Sequence, residues 1–113
     1  MSGNVKEFYA NFSKGMAKVQ KEMPNAVGGF MGLFQQTMGD GALSVKEKEL
    51  IALAIGMAVR CEPCILMHIK KAIDAGATRE QVIETAQVVV MMQGGPGYVH
   101  LPMVLEALEA IGA

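Results

Sequence analysis

Apolar side chains recur along this chain at intervals of three and four residues, the spacing of one face of an α-helix. No segment alternates convincingly between apolar and polar residues with the period of two expected for a strand. We therefore predict an all-α fold of about six helices. The first two cover residues 5–23 and 25–38, separated by Pro24. The apolar stripe of the first helix consists of Phe8, Phe12, Met16 and Val19.

A third helix is predicted from Val45, because Ser44 and Glu47 have the spacing of a capping box. From residue 50 to residue 59 this helix is apolar on all sides. Such a helix must be buried all around, and a chain of 113 residues has few helices with which to surround another. We therefore expect a homo-oligomer, in which other subunits complete the burial.

A fourth helix is predicted to begin between Cys61 and Pro63, since proline is tolerated in a first helical turn. Gly76 is suited to follow its last turn. Because the turn before Cys61 is short, the third and fourth helices should form an αα-hairpin centred near residue 60.

A second capping-box pattern, Thr78 with Gln81, predicts a fifth helix over residues 79–92. The glycine-rich segment 94–97 is predicted to be a turn. A last helix should follow over residues 98–111, with Pro102 kinking it or delaying its start to about residue 101.

Composition and charge argue against several classes of protein. The chain carries ten basic and eleven acidic residues, without the positive excess typical of nucleic-acid binding. Residues 1–8 lack the basic start and apolar run of a signal peptide, and no apolar stretch reaches the ~18 residues of a membrane span. We expect one cytoplasmic domain over residues 1–113, with no nucleic-acid or membrane partner and no cofactor.

Two cysteines and a histidine lie within eight residues: Cys61 and Cys64, followed by His68. At the start of a helix these three side chains share one face. Helix N-termini favour the reactive thiolate form of cysteine, and His68 could take the proton of Cys64. A disulfide across so short a loop would stabilise the fold little, so the pair is better suited to redox switching than to holding the fold together.

Glu49 is the carboxylate best placed to orient His68. In the predicted hairpin the two residues lie within about one helical turn of each other, a separation that one water molecule can bridge. The alternative use of Glu49 is to stabilise the start of its helix by interacting with the dipole.

Metal binding and simple packing are the alternatives for the cysteines. Cys61, Cys64, His68 and His100 could supply four zinc ligands, but nothing in the sequence brings His100 to the other three. We therefore predict no metal site. Two inert, buried thiols would instead indicate a non-redox ligand-binding or structural oligomer.

Glu49, Cys61, Cys64 and His68 together resemble the signature of the alkylhydroperoxidase D-like core, within the carboxymuconolactone decarboxylase superfamily. The resemblance covers residues 43–105. It implies an all-helical subunit that assembles as a trimer or as a hexamer, a trimer of dimers, and that reduces hydroperoxides or disulfides.

The resemblance also implies a role for each residue. Cys64 would attack and form a sulfenic acid, and Cys61 would resolve it as an intramolecular disulfide. An external dithiol donor would then reduce this disulfide. Glu49 and His68 would form the proton relay.

One feature departs from that signature. The alkylhydroperoxidase D proteins carry a second histidine between the cysteines, where this chain has Glu62 and Pro63. With one proton-transferring side chain fewer, we expect weaker peroxide turnover. Disulfide reduction is then the second reaction open to the dithiol.

Overall fold

The computed structural model describes residues 4–113, which form helices and loops without a strand. The helices are α1 (Val5–Glu22), α2 (Pro24–Met38), α3 (Val45–Ala58), α4 (Glu62–Asp74), α5 (Arg79–Gln93), the four-residue α6 (Gly95–Tyr98) and α7 (Leu101–Ala110). The predicted all-α class is thus confirmed. Residues 1–3, at the start of the N-terminal segment considered above, lie outside the described residues.

Both predicted capping boxes are present. Ser44 Oγ accepts a hydrogen bond from the backbone N–H of Glu47, whose carboxylate accepts one from the N–H of Ser44 in return. The backbone N–H of Ser44 is also the main reason why the pKa of Glu47 lies below its usual range. Thr78 and Gln81 make the same reciprocal pair at the start of α5. Both helix starts are therefore determined by local sequence.

Helices α3 and α4 form the predicted antiparallel hairpin, which packs against α5 and α7. The core between these four helices consists of side chains with almost no solvent exposure: Leu53, Met57, Ile65, Leu66, Ile69, Val82, Ala86, Val104, Ala107 and Leu108. Helix α1 crosses α7 and α4, whereas α2 contacts α1 and α3 and contributes no buried residue. The hairpin is therefore the most buried unit of the fold.

As expected for a chain with few helices, α3 is not buried on every side within the single chain. Ile51 is 46% exposed and Ile55 is 58% exposed, because α4 and α5 cover the other sides of the helix and nothing within the described residues covers this one. The exposed surface continues on α5 through Val88, Met91 and Met92. We call these five residues the α3–α5 apolar face.

Two predictions need correction. Met16, placed on the apolar stripe of α1, is 41% exposed, because only the first half of the helix reaches the core. The glycine-rich segment is more than a turn. Gly94 ends α5 with a positive φ of 74°, and residues 95–98 then form the short α6. The last helix begins at Leu101, the later of its two predicted starts.

Within residues 4–113, no helix combines the length and the apolar character needed to cross a membrane.

Candidate functional site

The two cysteines lie at the start of α4, as predicted. Cys61 is the N-cap residue, and its Sγ accepts a hydrogen bond from the backbone N–H of Cys64 at 3.3 Å. The cysteines form a disulfide, with their Cα atoms 5.2 Å apart. Both residues are partly exposed. The disulfide thus lies at the start of α4 and joins two partly exposed residues.

Gly56 of α3 contacts both cysteines. Its carbonyl accepts a hydrogen bond from the backbone N–H of Cys61 at 2.9 Å. A Cβ atom added to Gly56 would lie only 3.1 Å from the Cβ of Cys64. The absence of a side chain therefore allows the first turn of α4 to pack closely against α3.

Glu49 and His68 are in direct contact across the hairpin. His68 Nδ1 lies 2.7 Å from Glu49 Oε1. The two residues lie within one helical turn of each other, as predicted, and no bridging water molecule is needed, because close packing of the helices leaves the side chains within hydrogen-bond distance. Glu49 is 3% exposed, and no other charged or polar residue of the described chain is buried to this degree.

This contact determines what His68 can do chemically. Burying a carboxylate is costly unless it is paired and hydrogen-bonded, so the contact with His68 compensates for the burial of Glu49. When Nδ1–H donates to Glu49, the second ring nitrogen, Nε2, is left to accept a proton. The side chain of His68 is 21% exposed and lies one turn after Cys64 on α4. The arrangement places an oriented imidazole on the helix that carries the two cysteines.

Three contacts that hold the hairpin were not expected from the sequence. Gly56 carries the one signal that could have indicated its role, since an isolated glycine inside a helix often marks close packing. The Tyr9 hydroxyl donates to the carbonyl of Leu66 in α4, and burial raises the pKa of Tyr9 above its usual range. Gln93 Nε2 donates to the carbonyl of Ala58, the last residue of α3, at 2.6 Å. The contacts of Tyr9 with Leu66 and of Gln93 with Ala58 join residues far apart in the chain, so no local sequence pattern predicts them.

His100 does not join the other candidate ligands. Its Nδ1 lies 2.6 Å from the carbonyl of Pro96, within the α6 region. Across residues 4–113, no three His, Cys, Asp or Glu side chains are grouped so that they could hold a metal ion. The structure brings together Glu49 with His68 and Cys61 with Cys64, all on the α3–α4 hairpin.

Known proteins share both the sequence and the fold. A model of the carboxymuconolactone decarboxylase family matches residues 24–107. An uncharacterized protein of Cupriavidus necator is 30% identical over 113 residues, which is the full length of both chains. An uncharacterized protein encoded in the cox locus of Paracoccus denitrificans is 38% identical over 73% of this chain and 74% of its own.

Solved structures agree with the family match. The apo form of a carboxymuconolactone decarboxylase family protein from Legionella pneumophila superposes with a TM-score of 0.83 at 39% identity, covering 96% of this chain and 94% of that one. A Thermotoga maritima protein superposes with a TM-score of 0.83 at 26% identity, covering 95% and 94%. The fold and the sequence lead to the same conclusion: this chain belongs to the carboxymuconolactone decarboxylase family, with an alkylhydroperoxidase D-like helical core.

Proposed function

We propose that this protein is a thiol-dependent oxidoreductase that uses Cys61 and Cys64 to reduce hydroperoxides or disulfides. The observation that carries the proposal is the 2.7 Å contact between His68 and the buried Glu49, on the hairpin that also holds the disulfide. A buried carboxylate that orients a histidine near a partly exposed dithiol is typical of sites that activate a cysteine nucleophile.

With a hydroperoxide ROOH, the reaction begins from the reduced dithiol. His68 takes the proton of Cys64, and the thiolate attacks the peroxide, which yields Cys64–SOH and, after protonation of RO⁻, ROH. The thiol of Cys61 then attacks the sulfenic acid, forming the Cys61–Cys64 disulfide and releasing water. An external dithiol donor reduces this disulfide and is itself oxidised to a disulfide.

With a disulfide RSSR, Cys64 forms a mixed disulfide and releases one thiol. Cys61 then displaces the second thiol and closes the same intramolecular disulfide. A thiolate can leave without being protonated, whereas the alkoxide released from a peroxide needs a proton. The disulfide route therefore suits a site with Glu62 and Pro63 between the cysteines and no histidine there. A Thermotoga maritima protein of similar fold has been suggested to take part in an antioxidative response, which fits either route.

The same proposal includes a homo-oligomer, either a trimer or a hexamer built as a trimer of dimers. Its support is the α3–α5 apolar face, where a groove of about 390 Å³ lies among Ala54, Ile55, Val88, Met92 and neighbouring side chains. Exposed apolar patches of this kind are typical of protein interfaces. We further propose that residues 1–113 act as one domain, in the cytoplasm, as an antioxidant protein.

Titration of free thiols tests the redox activity. The reduced protein is treated with a slight excess of hydroperoxide or of a small disulfide, and its thiols are counted before and after. We expect two thiols per chain to disappear and to return when a dithiol reductant is added. Unchanged thiols with both oxidants, or stoichiometric zinc in the protein as isolated, would contradict the proposal.

Single cysteine variants test the roles. With Cys61→Ser, hydroperoxide should leave a sulfenic acid at Cys64 that dimedone traps, detected by mass spectrometry as one adduct per chain. With Cys64→Ser, no adduct should form. The reverse pattern would exchange the attacking and resolving roles while leaving the dithiol chemistry in place.

A further inference from the structure

Arg60, the residue directly before Cys61, has an unusual backbone conformation. Its φ is 58°, and every other residue of the described chain with a positive φ is a glycine: Gly76, Gly94 and Gly112. An L-residue with a side chain is disfavoured in this region, which glycine enters freely. Glycine would therefore be less strained than arginine at this position of the turn between α3 and α4.

Two residues of opposite charge, Arg60 and Glu62, flank Cys61. Arg60 is exposed. Glu62, on the other side of Cys61, is partly buried, and its Oε1 has almost no contact with solvent. The ion pairs formed within residues 4–113 join Glu49 to His68 and Lys70 to Asp74, so none of them occupies Arg60.

The start of α4 also contributes a positive electrostatic potential. The N-terminus of a helix carries a partial positive charge, and here it coincides with the disulfide. Arg60 is adjacent to Cys61 in sequence, so the Cα atoms of the two residues lie about 3.8 Å apart, and salt screens charges over ~8 Å at physiological ionic strength. A negatively charged reactant is attracted to this end of the hairpin, and a positively charged one is repelled.

We propose that Arg60 selects anionic disulfides and thiols, such as those bearing carboxylates, as redox partners of the Cys61–Cys64 site. This inference rests on the proposed thiol–disulfide activity and adds the charge class of its reactant. The step concerned is the attack of the Cys64 thiolate on RSSR, which forms a mixed disulfide and releases RS⁻. Cys61 then closes the protein disulfide and releases a second RS⁻, while the two thiol protons of the protein go to solvent or to the released thiolates.

Three aliphatic disulfides that differ in charge provide the test: 3,3′-dithiodipropionate, a dianion; bis(2-hydroxyethyl) disulfide, which is neutral; and cystamine, a dication. The reduced full-length protein is mixed with each at low ionic strength and quenched with N-ethylmaleimide, and mass spectrometry gives the remaining dithiol. We expect the dianion to react about two- to five-fold faster than the neutral compound and the dication to react more slowly. Added salt should reduce these differences.

Three variants separate the charge of Arg60 from its backbone. Arg60→Gln removes the charge, Arg60→Lys keeps it, and Arg60→Gly removes it while relieving the conformation. The preference for the dianion should be lost with Gln and Gly and kept with Lys. The Gly variant should also unfold at a higher urea midpoint, so that selectivity is lost although the fold becomes more stable. Lys46→Gln, at the opposite end of α3, is the matched control and should leave the preference unchanged.

The outcomes distinguish this inference from the function on which it rests. Equal rates for the three disulfides, or an unchanged preference in Arg60→Gln, would overturn the role of Arg60 while leaving the dithiol activity standing. A preference lost equally in Lys46→Gln would assign the selectivity to overall charge and would also overturn it. If none of the disulfides reacts with the reduced protein, both the disulfide reductase activity and the role of Arg60 are refuted.

Discussion

At the starts of α4 and α5, backbone N–H groups without a partner inside the helix need hydrogen-bond acceptors, and the two helices supply them with different side chains. At α5, Thr78 and Gln81 occupy the N-cap and the third helical position, and each side chain accepts from the other's backbone N–H. At α4, Cys61 and Cys64 occupy these two positions. Cys61 Sγ still accepts from the N–H of Cys64, but at 3.3 Å and through sulfur, a weak acceptor.

The second hydrogen bond of a capping box, donated by the backbone N–H of the N-cap residue, also has a different acceptor at α4. Cys64 is bonded to Cys61 and does not reach back to a backbone N–H. The N–H of Cys61 instead donates to the carbonyl of Gly56 in the neighbouring helix. At α5 both hydrogen bonds of the capping box join Thr78 and Gln81. At α4 the carbonyl of Gly56, five residues before Cys61, replaces the return acceptor, so the side chain of Cys64 is left for the disulfide.

The largest effect at the start of α4 is expected from replacing Glu49, the carboxylate that contacts His68. Glu49→Gln keeps an oxygen that can accept a hydrogen bond from His68 but removes the negative charge of the buried carboxylate beside it. We expect the rate of dithiol oxidation by hydroperoxide or disulfide to fall about 10- to 100-fold. Stopped-flow measurement over a range of pH should also show the profile for alkylation of Cys64 moving to higher pH.

The matched control is Glu47→Gln, two residues earlier in α3. Glutamine also completes a capping box, as Gln81 does at α5, so this variant should retain the wild-type rate. Equal losses in both variants would mean that α3 affects the rate through charge in general rather than through the contact with His68.

Gly56→Ala tests whether the start of α4 depends on its neighbour. The added Cβ meets the Cβ of Cys64 at 3.1 Å, and such overpacking costs about 1–3 kcal/mol. Urea unfolding at fixed protein concentration should show lower stability, together with a changed equilibrium between dithiol and disulfide against glutathione. Gly15→Ala is the control, because its Cβ meets nothing within 4 Å and alanine favours a helix by about 1 kcal/mol. Similar stabilisation by both substitutions would show that the close approach has no energetic weight.

Thr78→Ala tests the start of α5, where the capping box lies within four consecutive residues. Loss of an N-cap typically costs about 1 kcal/mol, whereas the dithiol chemistry at α4 should be unaffected. In reducing buffer Cys61→Ser should cost nothing, since a hydroxyl oxygen is a better cap than sulfur. Denaturation curves and thiol oxidation rates for both variants check this. Slower thiol oxidation in Thr78→Ala would show that the starts of α4 and α5 are coupled and would contradict their independence.

The smallest effect concerns Tyr9, which holds α1 on α4. Tyr9→Phe removes a hydrogen bond to the carbonyl of Leu66 and should cost about 1 kcal/mol at neutral pH. Because burial raises the pKa of Tyr9 in the folded protein, the unfolded chain ionises first, near pH 10. The contribution of Tyr9 is therefore complete below about pH 10 and is lost at higher pH.

Urea titrations at several pH values should show the wild type and Tyr9→Phe converging in stability above pH 10. Tyr98→Phe, at a side chain that is 65% exposed, is the control and should behave like the wild type throughout. A difference between wild type and Tyr9→Phe that stays constant up to pH 11 would contradict the argument.

Much of the fold was accessible from local patterns. The starts of α3 and α5 followed from Ser44 with Glu47 and Thr78 with Gln81, because a capping box satisfies backbone groups within four consecutive residues. Gly76, predicted to follow the fourth helix, has a φ of 99° and lies just beyond its end. That one side of α3 stays uncovered in a single chain also followed from the sequence, because a chain of this length has few helices with which to surround another.

From the sequence alone it was possible to predict that a Cys-x-x-Cys pair begins a helix and that His68 lies on the same face one turn later, because helical spacing sets that register. The sequence also singled out Glu49, but left it a water molecule away from His68. Only the tertiary structure decided the direct contact, because the distance between two side chains on different helices depends on how closely those helices pack. In this protein the close approach is allowed at Gly56, where an added Cβ would lie 3.1 Å from the Cβ of Cys64.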